Sequence, residues 1–110
     1  MNIYFDFAFH TAATEAANGN PFYVYDYKTL TVEIYGSVEN TARAVTFYGK
    51  GPSGTLRALK GLKLSDWSSG TSTTGTGELW QFDITGINSV TMDLTAITDG
   101  TVTVKGRAVS

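Results

Sequence analysis

Trp80-Gln-Phe-Asp-Ile-Thr-Gly-Ile-Asn-Ser-Val-Thr-Met-Asp-Leu-Thr-Ala-Ile-Thr-Asp-Gly-Thr-Val-Thr-Val-Lys-Gly-Arg-Ala-Val-Ser110 is the stretch whose reading decides the fold. Apolar and polar residues alternate through it with the period of two that a strand needs to bury one face. Two Gly-containing turns interrupt the alternation, so the stretch predicts strand, turn, strand, turn, strand, over residues 79–84, 90–97 and 101–109. Asp99-Gly100, between two Val/Thr-rich runs, is the strongest short turn signal, because Gly accepts a positive φ without steric cost. The polar residues here are almost all Thr, Ser or single charges, and no set of catalytic groups is visible among them.

Working outward, Thr29-Leu-Thr-Val-Glu-Ile-Tyr35 sets Leu30, Val32 and Ile34 on one face, and Gly36 ends it. Residues 2–9 alternate Ile3, Phe5, Phe7 and Phe9 with polar or small neighbours and predict a first strand. The Ala-rich run 11–20 reads as a loop, because Asn18-Gly19-Asn20-Pro21 terminates any helical turn that begins there. Phe22 to Lys28 reads as an extended aromatic segment. Residues 42–48 predict a strand with Val45 and Phe47 inward, followed by the flexible turn Gly49-Lys-Gly-Pro-Ser-Gly54. Thr55 to Leu64 reads as two short strands around Lys60-Gly61. The Ser/Thr/Gly-rich run 65–77 reads as a long loop carrying Trp67 and ordered in an assembly. Seven or eight short strands with hardly any helix predict an all-β fold, an antiparallel β-sandwich of jelly-roll type.

A chain of 110 residues fits one domain, 1–110, and at this size buries roughly two thirds of its unfolded surface without metal or disulfide staples. It has no Cys, which excludes a disulfide framework and thiolate zinc sites. Only 16% of residues are charged, so solubility rests on Thr, Ser, Asn and Gly. Residues 1–40 hold one lysine against five carboxylates, while 41–110 carry a net +2. No clustered basic face results, which argues against a nucleic-acid partner. The N-terminus lacks a basic n-region and its apolar run is broken by Asp6 and His10, so no signal peptide is expected. Nothing approaches the roughly 20 apolar residues of a membrane span, and no membrane partner is expected.

Chemistry is sparse. His10 is the only histidine, which rules out a two-histidine metal site and leads us to expect a surface or end-of-strand residue. Asp66, Asp83, Asp93 and Asp99 are the acids available for paired-carboxylate work, but none sits in a motif. Gly49 to Gly54 lacks the Lys-Ser/Thr ending and following helix of a phosphate loop. The Thr-x-Thr pieces at 29–31, 71–73 and 101–103 are irregularly spaced and read as exposed strand threonines. We expect no enzyme activity and no cofactor.

Aromatic residues are the exception to this plainness: eight of fourteen fall within the first 27 positions. They occupy both faces of their strands, so either both faces are covered or one meets a partner. Tyr4, Phe5, Phe7, Phe9, Tyr23, Tyr25 and Trp67 are the candidate interface residues, with 1–10 forming an aromatic N-terminal strand or arm. A sugar-stacking platform is the competing reading.

Tyr27-Lys-Thr-Leu-Thr-Val-Glu-Ile-Tyr-Gly36, Ala44-Val-Thr-Phe-Tyr48, Gly77-Glu-Leu-Trp-Gln-Phe-Asp-Ile-Thr-Gly86 and Gly100-Thr-Val-Thr-Val-Lys-Gly-Arg-Ala-Val109 together resemble small virion proteins of tailed phages, particularly those of Gram-positive hosts. The resemblance spans most of 27–109, while the aromatic first 26 residues depart from an Ala/Gly/Thr-rich start. It implies a non-enzymatic β-sandwich component of the virion, made in the host cytoplasm, and carries no catalytic residues. Capsid decoration is the leading expectation, with the major capsid protein as partner and a homo-oligomer, a trimer on a capsid axis, as its form. A tail or baseplate adaptor and a carbohydrate-binding module using Trp67 and tyrosines are the alternatives.

Overall fold

A computed structural model of the chain describes residues 3–36, 43–73, 77–97 and 100–110, Arg43 by its backbone alone. Alternation explains why these residues form strands. In Thr29–Gly36 the even residues Leu30, Val32 and Ile34 are fully buried, and in Val102–Val109 the even residues Val102, Val104, Gly106 and Ala108 point inward. In chain order the strands are β1 (Tyr4–Ala13), β2 (Phe22–Tyr23), β3 (Thr29–Gly36), β4 (Arg43–Lys50), β5 (Leu56–Ala58), β6 (Gly61–Lys63), β7 (Ser69–Gly70), β8 (Glu78–Asp83), β9 (Ser89–Ile97) and β10 (Val102–Val109). They form a six-stranded sheet, β1-β10-β3-β8-β6-β7, packed on a four-stranded sheet, β2-β9-β4-β5, with every pairing antiparallel. The all-β sandwich expected from the sequence is therefore present, with ten short strands among the described residues in place of seven or eight.

The two sheets meet through large side chains. Phe47 of β4 lies with its ring 4.9 Å from those of both Trp80 and Phe82 on β8. Behind it, Val32 stands opposite Trp80 and Leu30 opposite Phe82 within the large sheet, while Phe47 pairs with Met92 and Val45 with Leu94 in the small one. Each of these side chains is almost wholly removed from water, and burial of one such group contributes about 1.5–3 kcal/mol.

The closing stretch is not a meander. β8 and β10 lie in the large sheet and β9 between β2 and β4 in the small one, so both turns carry the chain from one sheet to the other. The first is a five-residue turn in which the Ile87 N–H donates to the Ile84 carbonyl at 3.0 Å. Asp99 of the second lies outside the described residues; Gly100 has φ +71°. The two short strands expected around Lys60-Gly61 are present as β5 and β6, but in different sheets. The expected loop is interrupted: β7 pairs with β6, Ser72 bridges Thr46, and the Thr73 N–H donates to the Val45 carbonyl at 2.9 Å while its Oγ1 accepts from the Val45 N–H at 3.0 Å. Residues 74–76 of the expected loop lie outside the described residues.

The N-terminal segment is an integral strand rather than an arm. β1 pairs with β10 from Tyr4–Val109 to Ala13–Val102, with register shifts after Ala8 and after His10. The first shift is a bulge that sets two β1 residues against one of β10, which is why Phe9 and His10, consecutive in sequence, are both buried. His10, expected as a surface or end-of-strand residue, is buried within β1 and donates its Nε2–H to the Met92 carbonyl at 2.6 Å, tying β1 of one sheet to β9 of the other. The Ala-rich run that follows crosses to the small sheet, where Ala17 bridges Leu94.

Candidate functional site

β1 is the edge of the large sheet and β2 the edge of the small one, and their aromatic rings close that side of the sandwich. Phe22 sits 5.4 Å from Phe7 and 6.4 Å from Phe9, centroid to centroid. Phe9 is 1% exposed, so this candidate interface residue belongs to the core and is unavailable to a partner. Phe7 is half-buried against it, 5.1 Å away and nearly perpendicular. Phe5 stacks on Phe22 and Tyr27 at 6.3 and 6.4 Å but remains 47% exposed.

Within the extended aromatic segment 22–28 only Phe22–Tyr23 pairs as a strand. Tyr27 N–H reaches back to the Val24 carbonyl at 3.0 Å, and the chain turns there to move from the small sheet into β3. Tyr25, at the turn, is held at φ +48° and is 83% exposed. A left-handed backbone at a β-carbon-bearing residue costs about 1–2 kcal/mol, so the turn holds this ring outward against its own preference. Tyr23 is 59% exposed beside it. Phe5, Phe7, Pro21, Phe22, Tyr23, Tyr25 and Tyr27 line a shallow concavity of about 260 Å³. Pro21, Phe22 and Tyr27 were not among the sequence candidates, because only the turn brings them under Tyr25.

Two candidates lie elsewhere. Trp67 is 69% exposed at φ +62° in the turn between β6 and β7, at the opposite edge of the large sheet from β1. Its turn is fixed by Trp67 N–H to the Lys63 carbonyl at 2.8 Å and by Asp66, whose Oδ1 accepts from the Ser68 N–H and hydroxyl at 3.0 and 2.6 Å. Those Ser68 bonds, the hydroxyl's first, hold the Asp66 carboxyl below its ordinary range. Tyr4 faces outward from β1, with the Arg107 guanidinium carbon 4.5 Å from its ring centre. The seven sequence candidates thus divide into a core residue, a patch, a ring on the outer face and a distant tryptophan.

The outer face of the large sheet carries a second concavity, of about 600 Å³. Register builds it from two cross-strand rows, Asp6, Arg107 and Thr31 in one and Ala8, Lys105, Glu33 and Leu79 in the next, with Phe7 and Gly106 between them. Arg107 donates from Nε to Asp6 Oδ1 at 2.7 Å and from Nη2 to Oδ2 at 3.0 Å. This bidentate pair holds the Asp6 carboxyl below its ordinary range and raises Arg107. Nothing in the local sequence signals the groove, since its partners Asp6 and Arg107 are 101 positions apart.

Two further acids are structurally engaged. Asp83 accepts the Thr85 N–H at 3.1 Å, which lowers its carboxyl, and buried Glu78 accepts the Trp80 Nε1–H at 2.8 Å with Lys63 Nζ at 3.8 Å. Among the described residues no three His, Asp or Glu side chains converge on a metal position, and no helix is long and apolar enough to cross a membrane.

A two-sheet antiparallel sandwich with an exposed aromatic patch at one edge is the class that fold and surface define. Within it, residues 3–108 match the XepA family, and the chain belongs to that family. The match includes the aromatic N-terminal strands, so they are part of the family domain. The crystal structure of SPBc2 prophage-derived protein YomS superposes with a TM-score of 0.92 at 40% identity, covering 100% of this chain and 96% of that one. That of PBSX exported protein XepA gives 0.92 at 40% identity, covering 99% of this chain and 38% of that one. Among Bacillus subtilis (strain 168) proteins, uncharacterized protein YqxG is 46% identical over 105 residues, and phage-like element PBSX protein XepA 42% over 106. The chain covers only 35% and 37% of those two proteins, about a third of each, but 86% of the SPbeta prophage-derived YomS. It is a phage-associated protein.

Proposed function

We propose that the protein is a non-enzymatic structural component of a phage particle, and that it decorates the capsid by docking the β1–β2 aromatic patch onto the shell protein. The observation that carries this is Tyr25, a ring 83% exposed and held at positive φ, which lines one concavity together with Phe5, Phe7 and Phe22. Contiguous exposed aromatic surface marks association sites, and Tyr is enriched among the residues that dominate binding energy. The prophage origin of two relatives and the description of one as exported support a product that acts on or with the particle. A single patch of this size binds modestly; a closed homo-oligomer multiplies it by avidity.

Immunogold labelling or electron imaging of purified induced particles tests the reading. Density on the capsid shell, lost in a Tyr23→Ser/Tyr25→Ser variant that remains folded, is the expected result. Label confined to tails or baseplates would replace the shell by a tail partner, and protein found only in the soluble fraction would remove the particle role altogether.

A further inference from the structure

We infer that the groove on the outer face of the large sheet is a binding site for a neutral oligosaccharide. The inference does not rest on the docking role above: Phe7 borders both surfaces, but the polar groups of the groove, Asp6, Glu33, Lys105 and Arg107, lie outside the patch, and Tyr23 and Tyr25 lie outside the groove.

Charge decides the ligand class. Two cations, Lys105 and Arg107, lie side by side on β10, flanked by Asp6 on β1 and Glu33 on β3. A polyanion entering the groove meets two carboxylates, and a polycation meets two cations. An uncharged polyhydroxylated ligand can use all four groups, accepting from the cations and donating to the carboxylates, in hydrogen bonds roughly twice as strong as neutral ones. Two of the four are already engaged with each other: both Asp6 oxygens accept from Arg107, whose guanidinium carbon also lies 4.5 Å from the Tyr4 ring centre. The bidentate pair engages only Nε and Nη2 of Arg107, leaving Nη1, while Lys105 and Glu33 stand opposite each other without an ion pair within 4.0 Å.

Shape agrees with charge. Ala8 and Thr31 are the short side chains of the two rows, one on each side of Lys105 and Arg107, and they leave low ground beside β10 on both flanks. Leu79, 42% exposed at one end, offers an apolar surface to the C–H face of a sugar ring. The volume of about 600 Å³ lies inside the roughly 300–1,000 Å³ of small-ligand sites. All these groups project from paired strands rather than loops, which fixes their spacing before a ligand arrives.

The test is titration of the intact 15N-labelled chain with chitotetraose, cellotetraose and maltotetraose at millimolar concentrations, followed by amide chemical shifts. At least one sugar is expected to shift residues 6–8, 31–33, 79 and 105–107. Lys105→Met and Glu33→Gln should each weaken that sugar about tenfold, equivalent to roughly 1.4 kcal/mol, and Ala8→Trp should abolish binding. Tyr25→Ala should leave it unchanged. If Ala8→Trp fails to fold, the two polar exchanges decide alone. Absence of shifts with all three sugars, shifts centred on Tyr23 and Tyr25, or equal affinity in the polar variants would overturn the assignment. So would displacement of the sugar by polyphosphate at lower concentration.

Discussion

Replacing Phe9 with alanine asks whether β1 is held by the core or merely rests against it. The ring is 1% exposed, packs edge-on to Phe7 at 5.1 Å, and closes the approach to Gly106 so tightly that a β-carbon there would lie 2.9 Å from Phe9 Cε2 and 3.0 Å from Leu30 Cδ1. Truncation of a buried Phe costs about 3–5 kcal/mol, and for a domain of this size about 4 kcal/mol lowers Tm by roughly 15–20 °C. Phe5→Ala, in a ring left 47% exposed, should cost only about 1 kcal/mol. The geometry also fixes a coupling. Gly106→Ala alone should destabilise, because its methyl group meets Phe9 and Leu30; in the Phe9→Ala background the same methyl enters the vacated space. The double variant should therefore be more stable than the two single losses predict, by about 1 kcal/mol or more. Thermal and urea melts of the four proteins measure it. Additive losses, or a Phe9→Ala protein melting with the wild type, would refute the packing of β1 into the core.

Tyr25→Gly should leave Tm unchanged or slightly raised, since it relieves the positive φ, while particle association falls; circular dichroism melts and particle sedimentation separate the two effects. His10→Phe should destabilise by about 1–3 kcal/mol by stranding the Met92 carbonyl, readable as a shift in urea midpoint. Asp6, Asp66 and Asp83 are all depressed in the fold, so their stabilisation is present above the unfolded carboxylate range near 4 and is lost as pH falls through their lower folded values. Tm should therefore decline below about pH 4, and Asp66→Asn combined with Asp83→Asn should flatten that decline; an unchanged slope would show that these turns contribute nothing.

Local pattern revealed strands but not their neighbours. Leu30, Val32 and Ile34 could be read as one buried face because a period of two is a property of consecutive residues. Which sheet received β9 could not, since Val90, Met92 and Leu94 alternate equally well in either. His10 was misplaced for a related reason: the bulge that turns it inward arises from pairing with Val104, 94 positions away. The aromatic set was legible as unusual, yet its division into core, patch and outer face depends on strand direction and on the turn at Tyr25. Asp6, Glu33, Lys105 and Arg107 looked like scattered charges until register set them in adjacent rows.

The pairing of Tyr4 with Val109, extended by the Ser110 N–H donating to the Ile3 carbonyl at 3.0 Å, places residues 3 and 110 side by side at one end of the sheet. Tension applied between them does not shear β1 against β10. It opens their ladder like a zip, one rung at a time, starting at Tyr4 and moving through Phe5 and Asp6 toward the bulge. The aromatic patch and the polar groove share those first rungs, so a pull through the backbone would dismantle both surfaces before it reached Phe9, while the interior stays intact.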